Sequence, residues 1–200
     1  MLIIGLTGPS GAGKGVVADL FARYGLPIVN ADKVYHDLLI PPSNCLDALS
    51  EHFGKGILLP DGTLNRAELR GIVFSDPTAL EALNAITHRF VMEQVDRKMR
   101  QLRESGTRAA VLDAPMLFEA GADRACGVIV SVLADRNIRM ERIMKRDGIG
   151  QEAVLRRFAA QKSDNFFRTH SNYVIENNGN VDRLSAQVET ILQKTGVLPL

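Results

Sequence analysis

Little in this sequence suits a metal-stapled, membrane-spanning or polyanion-binding protein. Its two cysteines, Cys45 and Cys126, form no C-x-x-C and no Cys/His ligand spacing, which argues against a zinc site or a disulfide framework and leaves reduced thiols as the expectation. His36, His52 and His170 show no metal spacing with one another. No apolar run approaches the roughly 18 residues of a membrane span. The opening Met1-Leu2-Ile3-Ile4-Gly5-Leu6 has no basic n-region, so a cytoplasmic protein without a membrane partner is expected. Neither charge sign dominates: 24 Lys+Arg face 23 Asp+Glu, a net charge of +1, which gives no electrostatic case for a nucleic-acid partner. Internal repeats and low-complexity tracts are also missing.

What is present is an ordinary globular composition, 46% apolar and 24% charged over 200 residues, enough for one compact core with an insertion. The run Leu2–Leu6 lacks polar alternation and reads as a fully buried strand. A Gly-rich turn follows, and Val16, Val17, Leu20 and Phe21 then recur at helical spacing up to Gly25. Further strands are expected at Pro27–Asn30, Ala109–Leu112, Val128–Leu133 and Tyr173–Ile175. Helices are expected about Arg136–Arg146, Gln151–Lys162 and Val181–Lys194. Residues 31 to about 104 are mostly helical text, broken by Pro41-Pro42 and Pro60-Asp61-Gly62. Asn65 stands as a helix cap there, and Asp76-Pro77 as an N-cap with proline at the first helical position. Leu198-Pro199-Leu200 reads as a frayed tail. Strands alternating with helices predict a parallel sheet covered on both faces, and the long helical stretch is the expected substrate-binding insertion.

Gly8-Pro9-Ser10-Gly11-Ala12-Gly13-Lys14-Gly15 matches G-x-x-x-x-G-K and lacks the final Ser/Thr. Glycines let successive backbone N–H groups turn inward as a nest for phosphate oxygens. A helix opening near Gly13 adds its N-terminal partial positive charge, and Lys14 reaches the β- and γ-phosphates. Gly8, Ser10, Gly11, Ala12, Gly13, Lys14, Gly15 and Val16 are therefore expected to line ATP. The motif follows a buried strand and opens a helix, the context that gives it meaning. Gly15 offers no hydroxyl to Mg²⁺, so a water is expected in that ligand position. The same residue leaves open a nucleotide-binding module with lost or weak catalysis.

Two carboxylates follow strands. Asp32, in Val29-Asn30-Ala31-Asp32, is placed to accept the acceptor hydroxyl's proton and to help hold metal, and it also reads as a helix N-cap. Asp113, ending Val111-Leu112-Asp113, is placed to hold Mg²⁺ through water, or serves as a turn residue before Pro115. Glu119 is a solvated helix-end carboxylate or a weaker candidate. Nine Arg and Lys residues lie between Arg136 and Arg168; Arg139, Arg142 and Arg146 share one helical face. Beside a phosphate loop such a face can close as a lid, with Arg142 and Arg146 as the lid residues; elsewhere it is simply solvated. Asn177-Asn178-Gly179 can approach the adenine edge or be a plain turn.

In order and spacing, these pieces resemble the dephospho-CoA kinases along nearly the whole chain. The resemblance rests on Gly8–Lys14, Asn30-Ala31-Asp32, Asp61-Gly62-Thr63-Leu64-Asn65-Arg66, Phe74 with Asp76-Pro77, and Leu83-Asn84-Ala85-Ile86-Thr87-His88. It continues through Asp113-Ala114-Pro115-Met116-Leu117-Phe118-Glu119, Arg142-Ile143-Met144-Lys145-Arg146-Asp147, Ala159-Ala160-Gln161 and Val174-Ile175-Glu176-Asn177-Asn178-Gly179. The resemblance implies an α/β P-loop NTPase three-layer sandwich with a five-stranded parallel sheet. It implies a core of residues 1–30, 106–134 and 171–200, a helical CoA-binding region at 31–105 and a helical lid at 135–170. The activity implied is transfer of the ATP γ-phosphate, with Mg²⁺, to the ribose 3′-hydroxyl of dephospho-CoA, in a monomer or small homo-oligomer. Asp32 is then the catalytic base, Lys14 the phosphate ligand and Arg142 a lid arginine. ATP contacts fall also to Arg146 and Asn178, and substrate contacts to Asp32, His88 and Gln161. Two positions depart from the family: Gly15 replaces Ser/Thr, and Asn30 stands where the first Asp is frequent. A nucleoside-monophosphate kinase remains the second expectation.

Overall fold

A computed structural model describes residues 1–199; Leu200, the end of the tail expected to fray, lies outside the described residues. Its five parallel strands and flanking helices divide into two compact units, Met1–Val29 with Leu102–Leu200, and Asn30–Gln101.

The first unit starts with β1 (Leu2–Thr7), then α1 (Lys14–Arg23) and β2 (Ile28–Asn30), whose last residue opens the second unit. The second unit holds α2 (Ala31–Leu38), α3 (Asn44–Phe53), α4 (Arg66–Ser75) and most of α5 (Pro77–Glu104). The chain returns through β3 (Ala109–Asp113), β4 (Val128–Leu133), α6 (Arg136–Asp147), α7 (Gln151–Ala159), α8 (Asp164–His170), β5 (Tyr173–Glu176) and α9 (Val181–Lys194). Strand order is β2-β3-β1-β4-β5. The chain leaves β1 towards one side of the sheet and leaves β3 towards the other, so β1 borders a topological switch point, where open α/β sheets collect ligands.

Ile4, Leu6, Val111, Val130, Val132 and Ile175 of the strands meet Val17, Leu20 and Phe21 of α1 and Leu184, Val188 and Leu192 of α9 in one buried cluster. Each such side chain contributes about 1.5–3 kcal/mol on burial. β1 and β3 also bury the residues of their other face, which is why they read as apolar strands without alternation. The second unit has its own core of Leu39, Cys45, Leu46, Leu49, Ile57, Leu69, Val73 and Ala79.

Three expectations are corrected. The helix expected through Lys162 ends at Ala159, and α8 starts separately because the Ser163 hydroxyl accepts from the Phe166 N–H and caps a new helix. Pro27 lies outside β2, yet its carbonyl accepts from the Val111 N–H at 2.9 Å. The tail is tied down at least to Leu198, which packs against the main cluster and donates to the Leu192 carbonyl at 3.1 Å.

Candidate active site

The loop between β1 and α1 is shaped by glycines at positive φ. Gly13, the residue before α1, sits at φ 89°, and a Cβ there would lie 2.1 Å from the Asn177 amide nitrogen. Only glycine meets both demands. The first turn of α1 has no acidic residue and no side-chain cap, so its positive end is left to whatever anion the loop receives.

Parallel register brings Leu6 of β1 opposite Asp113 of β3, which sets the Asp113 carboxylate at the mouth of the loop. Asp113 is 3% exposed and paired with the Lys14 ammonium. A buried carboxylate needs such a partner, since stripping an ion of water costs several kcal/mol. The pairing makes Asp113 more than a turn residue. Beside it, the buried Thr7 hydroxyl donates to the Pro115 carbonyl at 3.2 Å and holds the segment after β3.

Behind the loop stands a set of donors that sequence reading finds only in part. The Arg139 Nε donates to the Ser10 carbonyl at 3.0 Å. Arg142 Nη1 donates to the Gly11 and Ala12 carbonyls at 3.3 and 3.4 Å, and the Asn177 amide donates to the Ala12 carbonyl at 2.7 Å. With the Ser10, Gly11 and Ala12 carbonyls drawn outward, the peptide planes bias the Gly11 and Gly13 N–H groups to the inner face, while the Ala12 N–H closes a turn on the Pro9 carbonyl at 3.2 Å. Gln161 grips Ser10 from a third side, accepting from its N–H at 3.2 Å and donating to its hydroxyl at 3.0 Å.

Arg139 is 5% exposed, donates to the Asp164 carboxylate at 2.8 Å and lies 4.6 Å over the Phe158 ring. Burial pulls its pKa down and the Asp164 charge pushes back. The sequence carries no signal for Asp164 and Phe158, because their partner lies on another helix. Arg139 itself is legible there only as part of the basic face.

That face divides. Arg139 and Arg142 turn to the loop, whereas Arg146 donates to Asp147 at 2.6 and 3.0 Å, with Arg157 on the same carboxylate at 2.5 Å. These two guanidinium groups hold the Asp147 carboxyl well below the usual range. Asn178, expected near adenine, accepts from the Asp135 N–H at 2.9 Å and lines an open cavity of about 630 Å³ with Glu176, Arg183 and Gln187. It is the neighbouring Asn177 that meets the loop. Glu119 is exposed.

In the second unit, Asp32 is exposed in the first turn of α2. The cap there is Asn30, whose side chain accepts from the Lys33 N–H at 2.8 Å. Asn30 thus has a structural reason, and the capping alternative for Asp32 falls away. His88 is half-buried on α5, next to Thr87, whose hydroxyl is spent on the Leu83 carbonyl at 2.8 Å. No group of three or more His, Cys, Asp or Glu among the described residues is arranged to hold a metal. Among them too, no helix is long and apolar enough to cross a membrane.

The sequence model for dephospho-CoA kinase matches residues 2–183. The dephospho-CoA kinase of Corynebacterium efficiens is 40% identical over 194 residues, covering 96% of this chain and 96% of the relative. A crystal structure from Thermus thermophilus is similar with a TM-score of 0.82 at 30% identity, over 96% of this chain and 97% of that one. A dephospho-CoA kinase from Campylobacter jejuni, at 22% identity, shares the fold with a TM-score of 0.73 across 98% of both chains.

Proposed function

The chain belongs to the dephospho-CoA kinase family, and from that premise we propose how its own residues serve ATP-dependent phosphorylation of dephospho-CoA at the ribose 3′-hydroxyl. The observation that carries the reading is the loop itself. Its carbonyls are held from behind, its helix end is uncapped by any side chain, and Lys14 and Asp113 stand at its mouth.

Phosphoryl transfer asks a protein mainly for positioning and charge neutralisation. The Lys14 ammonium has three donors, so it can keep Asp113 while meeting the β- and γ-phosphates. Amides of the loop and the start of α1 take the remaining phosphate oxygens. Arg142 and Arg146, on a lid formed by residues 135–170, supply positive charge; Arg142 does so from its place on the loop carbonyls. Asn178 borders the adenine end.

Mg²⁺ fits the donor set present. It favours one or two carboxylates completed by phosphate oxygens and water over an all-protein cage, and Asp113 is a single buried hard-oxygen ligand of that kind. Asp113, through water, and Asp32 would hold it, with a further water where Gly15 offers no hydroxyl. When bound, the ion neutralises charge developing on the phosphoryl oxygens.

Asp32, exposed and not engaged as the cap of α2, accepts the proton of the acceptor hydroxyl. General bases of this kind contribute about 10²–10⁴-fold. His88 and the helical region 31–105 receive dephospho-CoA. Gln161, with its amide engaged by Ser10, assists through the loop. The protein works in the cytoplasm, as a monomer or small homo-oligomer.

One assay tests this. Purified protein receives ATP, Mg²⁺ and either dephospho-CoA, a nucleoside monophosphate or no acceptor, and ADP release is followed. Release with dephospho-CoA alone is expected. Release with the monophosphate alone, or ATP binding without turnover, would sink the reading.

A further inference from the structure

Asn177 directly follows β5 and is almost wholly buried, at 4% exposure. Three contacts fix it. Its backbone N–H donates to the Leu133 carbonyl at 2.8 Å, anchoring it to the end of β4. Its amide nitrogen donates to the Ala12 carbonyl at 2.7 Å, and its amide oxygen accepts from Arg142 Nη2 at 3.4 Å. A carbonyl demands a donor and a guanidinium demands an acceptor, so the neighbours settle which way the amide faces. Among side chains of this size only asparagine satisfies both. An aspartate would set an acceptor against the Ala12 carbonyl, and a leucine would strand both partners. The same amide occupies the space a Cβ on Gly13 would need, so the glycine and the asparagine fit as a pair.

We infer that Asn177 is a positioning residue for the phosphate site: it keeps the Ala12–Gly13 peptide turned so that its N–H faces the triphosphate, and it aims Arg142. The inference rests on reading the loop as a phosphate cradle and is independent of which acceptor is phosphorylated. The physical ground is that a buried polar network with every partner satisfied has one arrangement, whereas a half-satisfied one relaxes.

ATP affinity without acceptor is the direct readout, so a wrong acceptor assignment leaves it untouched. Asn177→Asp and Asn177→Leu are each expected to weaken ATP binding about tenfold, equivalent to about 1.4 kcal/mol. Measurement is by fluorescence titration with a labelled ATP, well below each variant's melting temperature. Asn172→Ala is the control for general loosening of this segment. It removes the bond that the Asn172 side chain accepts from the Ile129 N–H at 2.7 Å, just before β5, without touching the loop or the cavity beside Asn178. It should lower the melting temperature and leave ATP affinity within about twofold. Hydrogen exchange gives a second measurement if Asn177→Leu folds poorly: amides of Ala12, Gly13 and Lys14 exchange faster in Asn177→Asp than in Asn172→Ala. ATP affinity unchanged in Asn177→Asp, or lost equally in Asn172→Ala, overturns the inference and leaves Asn177 a structural residue only.

Discussion

Replacing Gly15 by serine separates what the backbone of the phosphate loop needs from what its metal chemistry could use. Gly15 is the second residue of α1, is exposed, and is not among the glycines at positive φ. A Cβ there meets nothing within 4 Å. Gly in a helix is about 1 kcal/mol worse than Ala, with Ser roughly midway, so Gly15→Ser gains about 0.5 kcal/mol and Gly15→Ala up to about 1. For a chain of this length that raises the melting temperature by about 1–4 °C. The serine adds a hydroxyl where the proposed site relies on water. Exchanging a water for a protein hydroxyl is worth about 0.7 kcal/mol, towards the low end of the usual range for a hydrogen-bonding group, or about threefold in half-saturating Mg²⁺. The assay pairs thermal melts with ADP release across a Mg²⁺ titration. Both variants should melt higher. Only Gly15→Ser should need less Mg²⁺, with kcat equal or raised. A tenfold fall in kcat/KM for both variants despite higher melting temperatures would refute the reasoning, because it would mean that the bound triphosphate needs the space a Cβ takes.

Asp32→Asn keeps shape and removes the base, so kcat should drop at least a hundredfold with ATP affinity little changed; ADP release at saturating substrates tests it, and a normal rate would dismiss Asp32 as base. Gly8→Ala puts a Cβ 2.2 Å from the Val132 carbonyl at φ 145°, where backbone must move. That strain costs about 2–4 kcal/mol and lowers the melting temperature by roughly 4–16 °C. Burial, helped by the Asp123 charge, pushes the Cys126 thiol from 9.0 up to about 12. The fold therefore favours the protonated thiol, a contribution complete below pH 9 and lost between about pH 9 and 12. At pH 8 the native thiolate fraction is about a thousandfold below that of the unfolded chain, so iodoacetamide should label Cys126 quickly only in denaturant, as peptide mass analysis would reveal.

The loop is legible in the sequence because its chemistry is local. Gly8 to Lys14 are contiguous, and the positive φ of Gly8, Gly11 and Gly13 acts on the backbone of those residues themselves, whereas the close approaches that also require glycine, such as Asn177 to Gly13, come from afar. Asp113 is legible for a related reason: the end of a parallel strand falls at the ligand edge of the sheet, whatever its neighbours are. Asn30 is harder. As a departure from a family pattern it looks like a weakness, and the structure gives it the cap of α2. Arg142 and Arg146 look equivalent on a helical wheel. One turn of helix sends Arg142 to the Gly11 and Ala12 carbonyls and Arg146 to the Asp147 carboxylate.

Strand periods, the glycine spacing and the order of the motifs are properties of short stretches, and short stretches decide them: which segments are buried, where a helix can start, which residue can reach a phosphate. The donors behind the loop belong to no short stretch. Arg139, Gln161 and Asn177 come from a helix, the bend after a second helix and the residue after a strand, separated from Ser10 and Ala12 by well over a hundred residues. Hydrogen bonds act over about 3 Å, so their partners exist only once the sheet has ordered its strands and brought those ends together.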